Sequence, residues 1–323
     1  RRSDEVASFD MSLLADSTRF PFRLQLEQYE FTRIVNERLA ELPCAEVRFG
    51  HEVTGFSQIE DHVDIEVSTS TGGERIRADF LVSAEGARSQ IRKLAGIDYL
   101  GFTYDEKFLV VSTSFPFEDV FDDLSWVNYV SDPEEWCVIL RTEKLWRVLF
   151  PTTPENADDE AYLLSDAFIQ ERLHHLWDKE GDYDIGHRTL YNVNQRVAET
   201  YYVGRVLLAG DACHINNPLG GMGMNGGLHD GNNLAAKLVS ILRDGEAHIP
   251  LFDQYNRQRR DLAVRFVQEH TIANKKLMEA TDTDTQVARQ KMLMETAADP
   301  VKAKAFLLER AMINCVRDSE AVA

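Results

Sequence analysis

Residues 203–242 read VGRVLLAGDACHINNPLGGMGMNGGLHDGNNLAAKLVSIL. Residues 203–209 are a short apolar run, the pattern of a buried strand, and Gly210-Asp211 ends it. Residues 214–227 carry Pro218, Gly220, Gly221, Gly223, Gly226 and Gly227 and read as a glycine-rich loop. From about Leu228 the apolar positions Leu228, Leu234, Leu238 and Ile241 or Leu242 share one face of a helix. Glycine permits positive φ and lets another object approach the backbone closely. A strand–turn–helix joint also aims free backbone N–H groups and the positive end of a helix dipole at one point. That point attracts an anion or an electron-rich carbonyl. Asp211, at the strand's carboxyl end, is placed to accept hydrogen bonds from a ligand's hydroxyls. A glycine-rich loop alone is equally well a plain surface loop. The ordered string GD-x-x-H-x-x-x-P-x-G-x-x-G-x-N is the specific part.

That string, from Gly210 and Asp211 through His214, Pro218, Gly220 and Gly223 to Asn225, resembles the second FAD-binding signature of the class A flavoprotein aromatic hydroxylases. The para-hydroxybenzoate, phenol and hydroxyphenylpropionate hydroxylases belong to that family. The resemblance implies that Asp211 accepts from the ribityl chain of FAD. It implies that the loop from Pro218 through Gly220 and Gly221 runs under the isoalloxazine ring. The backbone N–H groups of Met224 and Asn225 would then face the flavin's pyrimidine edge. A helix N-terminus there suits the negative charge of reduced flavin.

Two further stretches carry the same resemblance. Gln28-Tyr29-Glu30-Phe31-Thr32-Arg33 is similar to the start of a helix whose glutamine reaches the FAD ribityl region; by itself Gln28 is a polar first-turn residue. Residues 78–92, ADFLVSAEGARSQIR, form a strand, a turn and a helix start. Gly86, Ser89 and Arg92 match the family's motif near the FAD pyrophosphate, while Glu85 stands where the family carries aspartate.

Composition narrows the classes. The 323 residues are 44% hydrophobic and 28% charged, with a net charge of -19. A chain this acidic is a poor candidate for nucleic acid or anionic membranes, which need basic patches. No apolar run approaches the roughly 18–20 residues that span a bilayer, and no signal peptide opens the chain. Cys44, Cys137, Cys213 and Cys315 are scattered without metal-ligand spacing, which fits a cytoplasmic protein with no metal.

Along the chain, residues 22–26 suggest a short strand and residues from Gln28 a helix that Pro43 stops. Residues 45–83 are strand-rich, with Val47 and Phe49 at their start and clean alternation over 62–69. Residues 97–150 carry apolar and aromatic strands, an antiparallel sheet with one face covered. The resemblance makes that sheet one wall of the substrate pocket. Arg141 and Arg147 are candidates for binding a carboxylate or phenolate, or else solvent-facing arginines on a hairpin. Residues 158–179 suggest a helix and 185–197 a strand, on which Tyr191 either orients a phenol or fills the core. Residues 250–278 and 286–316 read as helices.

The expected class is α/β (α+β overall), a Rossmann-like FAD domain with an inserted antiparallel-sheet substrate domain and a helical tail. The expected division is 1–96 for the first part of the FAD domain, 97–198 for the substrate domain, 199–246 for the rest of the FAD domain and 247–323 for C-terminal helices. The G-x-G-x-x-G strand–helix unit that opens this family's FAD domain is not among these residues. The resemblance therefore covers nearly all of this chain but only the later part of a family protein.

The implied activity is hydroxylation of a phenol-like small molecule with O2 and NADH or NADPH, through a flavin C4a-hydroperoxide. Pro218 would pack near the C4a carbon, and His214 is either a proton relay or a structural residue bonded to the backbone. A halogenase or reductase on the same fold and a non-catalytic family member are the rival readings. A homodimer is the assembly considered.

Overall fold

The computed structural model describes residues 5–122, 124–132, 135–153, 155, 158–279 and 283–322. In chain order, α1 (Gln28–Ala40) is followed by a meander of β1 (Glu52–Gln58), β2 (Val63–Thr69) and β3 (Gly72–Ala78), then β4 (Leu81–Ser83) and α2 (Gln90–Leu94). Next come β5 (Tyr99–Thr113), β6 (Val127–Val130), β7 (Cys137–Arg141) and β8 (Trp146–Pro151), α3 (Glu160–Leu163) and α4 (Asp166–Leu176), and β9 (Ile185–Ala198). The strands β10 (Tyr202–Val203), β11 (Val206–Leu208) and β12 (His214–Ile215) lead into α5 (Met222–Asp244). The helical tail consists of α6 (His248–Leu262), α7 (Glu269–Glu279), α8 (Thr283–Ala298), α9 (Pro300–Arg310) and α10 (Ile313–Ala321). One π-helical turn, Ala263–Gln268, joins α6 to α7.

The chain forms two compact units, and the strands β5 and β9 each pass from one to the other. The first unit holds residues 1–41, 104–193 and 276–308. The division expected from sequence placed 1–41 with the FAD domain and 276–308 with the tail. In the first unit, β5, β8, β7 and β6 pair antiparallel in that order. Alternation decides its two faces. Leu109, Val111, Cys137, Ile139, Trp146, Val148 and Phe150 form one core with Leu163, Phe168, Ile169 and Leu173 of α3 and α4. The expected single helix over 158–179 is two helices, because Ser165 breaks the run and caps the second, its hydroxyl accepting from the Phe168 N–H.

The second unit holds residues 42–103, 194–275 and 309–323. Its central pair is parallel, β11 on β4, with Leu208 opposite Ser83. Ile97, Tyr201, Leu207, Leu208, Leu234, Phe252 and Tyr255 pack around it as one core. Each fully buried side chain of this size stabilises by about 1.5–3 kcal/mol. The meander β1–β2–β3 buries Val63, Ile65 and Val67 against Leu81, Ile91 and Val206.

The structure corrects some expectations. Residues 22–26 and 45–49 form no strand, and Phe22, Leu24, Val47 and Phe49 are exposed. The helix α1 starts at Gln28 as expected but buries no residue. The strand at 203–209 is two short strands separated by Gly204 and Arg205. The helix expected from Leu228 begins at Met222. No helix among the described residues is long and apolar enough to cross a membrane.

Candidate functional site

Because β4 and β11 are parallel and in register, the turns after them leave from the same end of the sheet. In open α/β sheets that carboxyl end is where ligands bind. Gly210-Asp211-Ala212 forms a single 3-10 turn after β11, with Gly210 at φ 63°. The Asp211 side chain is exposed and has no hydrogen-bond or ion partner among the described residues. Partial burial by the surrounding protein raises its carboxyl pKa, His214 opposes the rise, and the buried charge of Asp230 adds to it.

The helix α5 opens beside this turn. Gly220 and Gly221 sit at φ 100° and 68°, so the chain enters the helix through backbone that side-chain-bearing residues rarely adopt. No side chain caps α5. Its first-turn N–H groups therefore have no partner within the helix. Met224 and Asn225 lie exposed on that turn, and Pro218 is exposed just before it.

Gly226 and Gly227, read from sequence as loop, are helical and serve close packing. A Cβ on Gly226 would lie 2.9 Å from His214 Cε1, and one on Gly227 would lie 3.0 Å from the Gly210 Cα. Gly223 is likewise inside the first turn of α5. The glycines thus bring the helix N-terminus down onto the Gly210-Asp211 turn.

His214 is 1% exposed. Its Nε2 lies 2.9 Å from Asp230 Oδ2, and Arg259 Nε donates to Asp230 Oδ1 at 2.7 Å. The Gly210 N–H also donates to Asp230 Oδ2 at 3.2 Å, and Arg259 donates to the Gly226 carbonyl. Burial alone would raise the Asp230 pKa. The charge and hydrogen bond of His214, and then those of Arg259, hold it below the ordinary value. His214 is bonded to a carboxylate, where the sequence reading offers the backbone, and its Nδ1 has no partner among the described residues. Neither Asp230 nor Arg259 stands out from sequence. The signal was present: the buried stripe of α5 is Met222, Gly226, Asp230, Leu234 and Lys237. A charge inside such a stripe needs a buried partner.

The Glu85 turn is self-contained. Glu85 Oε2 accepts from Ser83 Oγ at 2.9 Å, Ser89 Oγ at 2.7 Å and the Ile91 N–H at 3.0 Å. Ser89 Oγ in turn accepts from the Arg92 N–H at 3.0 Å and caps α2. The longer side chain at position 85 therefore reaches into the helix start. Gly86 comes next at φ 81°. Arg92 is 3% exposed, donates to the Ala87 and Ala212 carbonyls, and stacks 3.8 Å over the Tyr99 ring. It ties the Glu85 turn to the Asp211 turn.

In the first unit, Arg147 lies opposite Ser112 on β5, and Arg141 lies opposite Trp146. Directly opposed residues share a face. Arg141 is thus on the helix-covered side, near Glu118 and the Trp146 ring. Arg147 is on the other side, where it donates to Glu27 Oε1 at 3.0 Å and Ser112 Oγ at 3.4 Å. Leu190 packs into the helix-covered core, which puts Tyr191 on the face of Arg147. Burial raises the Tyr191 pKa while Arg147 opposes the rise, so the phenol stays protonated at neutral pH. Gln28 is exposed at the first turn of α1, next to Glu27, in this same unit. Arg141 and Arg147, each a candidate in the sequence reading, lie on opposite faces of the sheet.

A parallel-sheet unit with an uncapped, glycine-entered helix, together with an antiparallel-sheet unit, is the pair of parts expected of the class A FAD-dependent aromatic hydroxylases. The family model described as FAD binding domain matches residues 6–270, and the chain belongs to that family. It is 32% identical over 318 residues to para-nitrophenol 4-monooxygenase of Pseudomonas sp. (strain WBC-3), over 96% of this chain and 76% of that protein. The crystal structure of p-nitrophenol 4-monooxygenase from Pseudomonas putida DLL-E4 superposes with a TM-score of 0.88 at 30% identity, over 96% of this chain and 78% of that one. The anhydrotetracycline hydroxylase OxyS of Streptomyces rimosus superposes with a TM-score of 0.74 at 26% identity, over 94% of this chain but only 61% of the other. As a member of this family the chain is a flavin-dependent monooxygenase that takes FAD, with NADH or NADPH as co-substrate, and acts on an aromatic substrate with O2. The Asp211 carboxylate, without a partner among the described residues, and the uncapped α5 N-terminus fit that cofactor's hydroxyls and its electron-rich ring edge.

Proposed function

We propose that the chain carries the reactive half of the FAD site and hydroxylates a phenol-like aromatic substrate. The observation that supports this best is the Asp211 carboxylate, exposed and without a partner among the described residues, at the carboxyl end of the parallel pair. Asp211 would accept from the ribityl hydroxyls, and the N–H groups of Met224 and Asn225 would face the ring's carbonyl edge. Bound FAD supplies the redox chemistry, taking a hydride from the nicotinamide and activating O2. The chain's own task is to orient the cofactor, exclude water and hold the ring against Pro218.

On the substrate side, Arg147 and Tyr191 share one face of the first unit's sheet. Arg147, steadied by Glu27, favours the phenolate form of a bound phenol, and ring hydroxylation proceeds on that electron-rich form. Tyr191, held protonated, donates a hydrogen bond to the same oxygen. The similarity to para-nitrophenol 4-monooxygenase favours a small phenol.

The test is flavin retention. Asp211→Ala should weaken FAD binding roughly 10–100-fold, the worth of a hydrogen bond to a charged group. Flavin absorbance after gel filtration measures it, and unaltered flavin content would sink the assignment. Arg147→Met should keep the flavin and raise KM for phenols by about 10-fold or more. Steady-state oxidation of NADH or NADPH reads that effect; an unchanged KM would move the substrate elsewhere.

A further inference from the structure

The residue just before Pro218 is locked by a buried polar network that neither the motif nor the proposed catalytic roles account for. Asn217 is 0% exposed and Gln195, on β9, is 1% exposed. Gln195 Oε1 accepts from both the Asn217 N–H at 3.0 Å and Asn217 Nδ2 at 3.3 Å. Gln195 Nε2 donates to Thr271 Oγ1 at 2.7 Å. Asn217 Nδ2 also donates to the Thr271 carbonyl at 3.0 Å, and Asn217 Oδ1 accepts from the Leu219 N–H at 3.2 Å. Thr271 is 0% exposed. Asn217 thus uses its side-chain oxygen to fold the next two residues of the loop and its side-chain nitrogen to hold them to α7.

The π turn Ala263–Gln268 stands directly before this contact. It adds a residue to one helical turn and so rotates α7 about the helix axis. Gln268 and Thr271, three apart, then face the same strand and loop. Gln268 Nε2 donates to the Arg196 and Ile215 carbonyls, at 3.3 and 3.1 Å, one on each of the paired strands β9 and β12 next to the Gln195–Asn217 contact. Fully satisfied buried networks of this kind specify one conformation, because every alternative leaves a polar group unpaired.

We propose that Asn217, clamped between Gln195 and Thr271, is a positioning residue that sets the Pro218–Gly221 loop and, through it, the flavin ring. The second half rests on the reading of that loop as the floor of the ring. The π turn is the part of the helical tail that aligns the clamp.

The experiment uses the whole chain with the variants Asn217→Asp and Thr271→Val. Asn217→Asp keeps the side-chain shape but turns a donor into an acceptor facing Gln195 Oε1 and the Thr271 carbonyl. Thr271→Val removes only the hydroxyl. Hydrogen exchange on the cofactor-free protein should show the backbone amides of Leu219, Gly220 and Gly221 exchanging roughly ten-fold faster in each variant, while the amides of the middle of α5 keep their protection. In the FAD-bound protein, Asn217→Asp should shift the flavin's visible absorption and its reduction potential, with Asn217→Gln failing to restore them. Unchanged exchange at those amides in a folded variant overturns the clamp. Faster exchange with an unaltered flavin spectrum and potential overturns its action on the ring. A wild-type chain that takes up no FAD defeats the proposed function instead, and the exchange measurement still decides the clamp.

Discussion

Asp211 and Asp230 lie on either side of the same turn and have opposite electrostatics. Asp211 is exposed with its carboxyl pKa raised, whereas Asp230 is sealed between His214 and Arg259 with its pKa lowered. One carboxylate is left for a ligand and the other holds the scaffold that presents it. Gly226 belongs to that scaffold. Gly226→Ala gains about 1 kcal/mol of helix propensity. Its new Cβ, however, meets the His214 ring at 2.9 Å, and the ring cannot retreat without breaking its bond to Asp230. The variant should be less stable by about 1–3 kcal/mol net, the usual cost of overpacking. Urea denaturation measures it, and a variant more stable than wild type would show that the ring can move.

At the scale of the element, the Glu85 turn shows how a departure from a family motif is absorbed. The extra methylene lets the carboxylate take three donors and nucleate the short helix α2. Glu85→Ala should destabilise the chain by about 1–3 kcal/mol by leaving those donors without their acceptor, while Glu85→Gln should recover at least half of the loss. Thermal unfolding of the two variants side by side decides it; equal loss in both would mean that charge rather than acceptor geometry matters. The strand–turn–helix order at residues 80–94 was legible because apolar runs and a serine cap are local signals. The start of α5 was not. Five glycines in a row of fourteen residues read as a loop because helix propensity counts only the backbone entropy of glycine. The contact of Gly226 with His214 and of Gly227 with Gly210 outweighs that cost, and contacts between residues some 12 to 17 apart have no trace in a local pattern.

For the whole molecule, the buried His214–Asp230–Arg259 cluster couples stability to pH. The Asp230 pKa is lower in the folded chain than in the unfolded one, whose carboxylates take up protons near about pH 4. As pH falls through that range the unfolded chain binds the proton first. The contribution of Asp230 is therefore complete above about pH 4 and is lost progressively below it. The melting temperature of the wild type should fall more steeply between about pH 5 and pH 3 than that of an Asp230→Asn, Arg259→Met double variant. Parallel slopes would remove Asp230 from the acid response. Asp230→Asn alone should cost about 3–5 kcal/mol at neutral pH, because Arg259 is left buried without a countercharge.

The sequence by itself determined the class of the protein and the cofactor it takes. The string from Gly210 to Asn225 is local, and its resemblance to a family signature carried that reading although the start of α5 within it was not legible. The alternation of β2 was also legible, since it is a property of the residues in order. Only the tertiary structure decided which arginine shares a face with Tyr191. Arg141 and Arg147 flank one hairpin, yet the pairing of β7 with β8 sends their side chains to opposite faces. It alone joined His214 to Asp230 and Arg259, and Asn217 to Gln195 and Thr271. Those bonds link residues far apart in sequence, and a buried polar group's partner is chosen by folding, not by its neighbours in the chain.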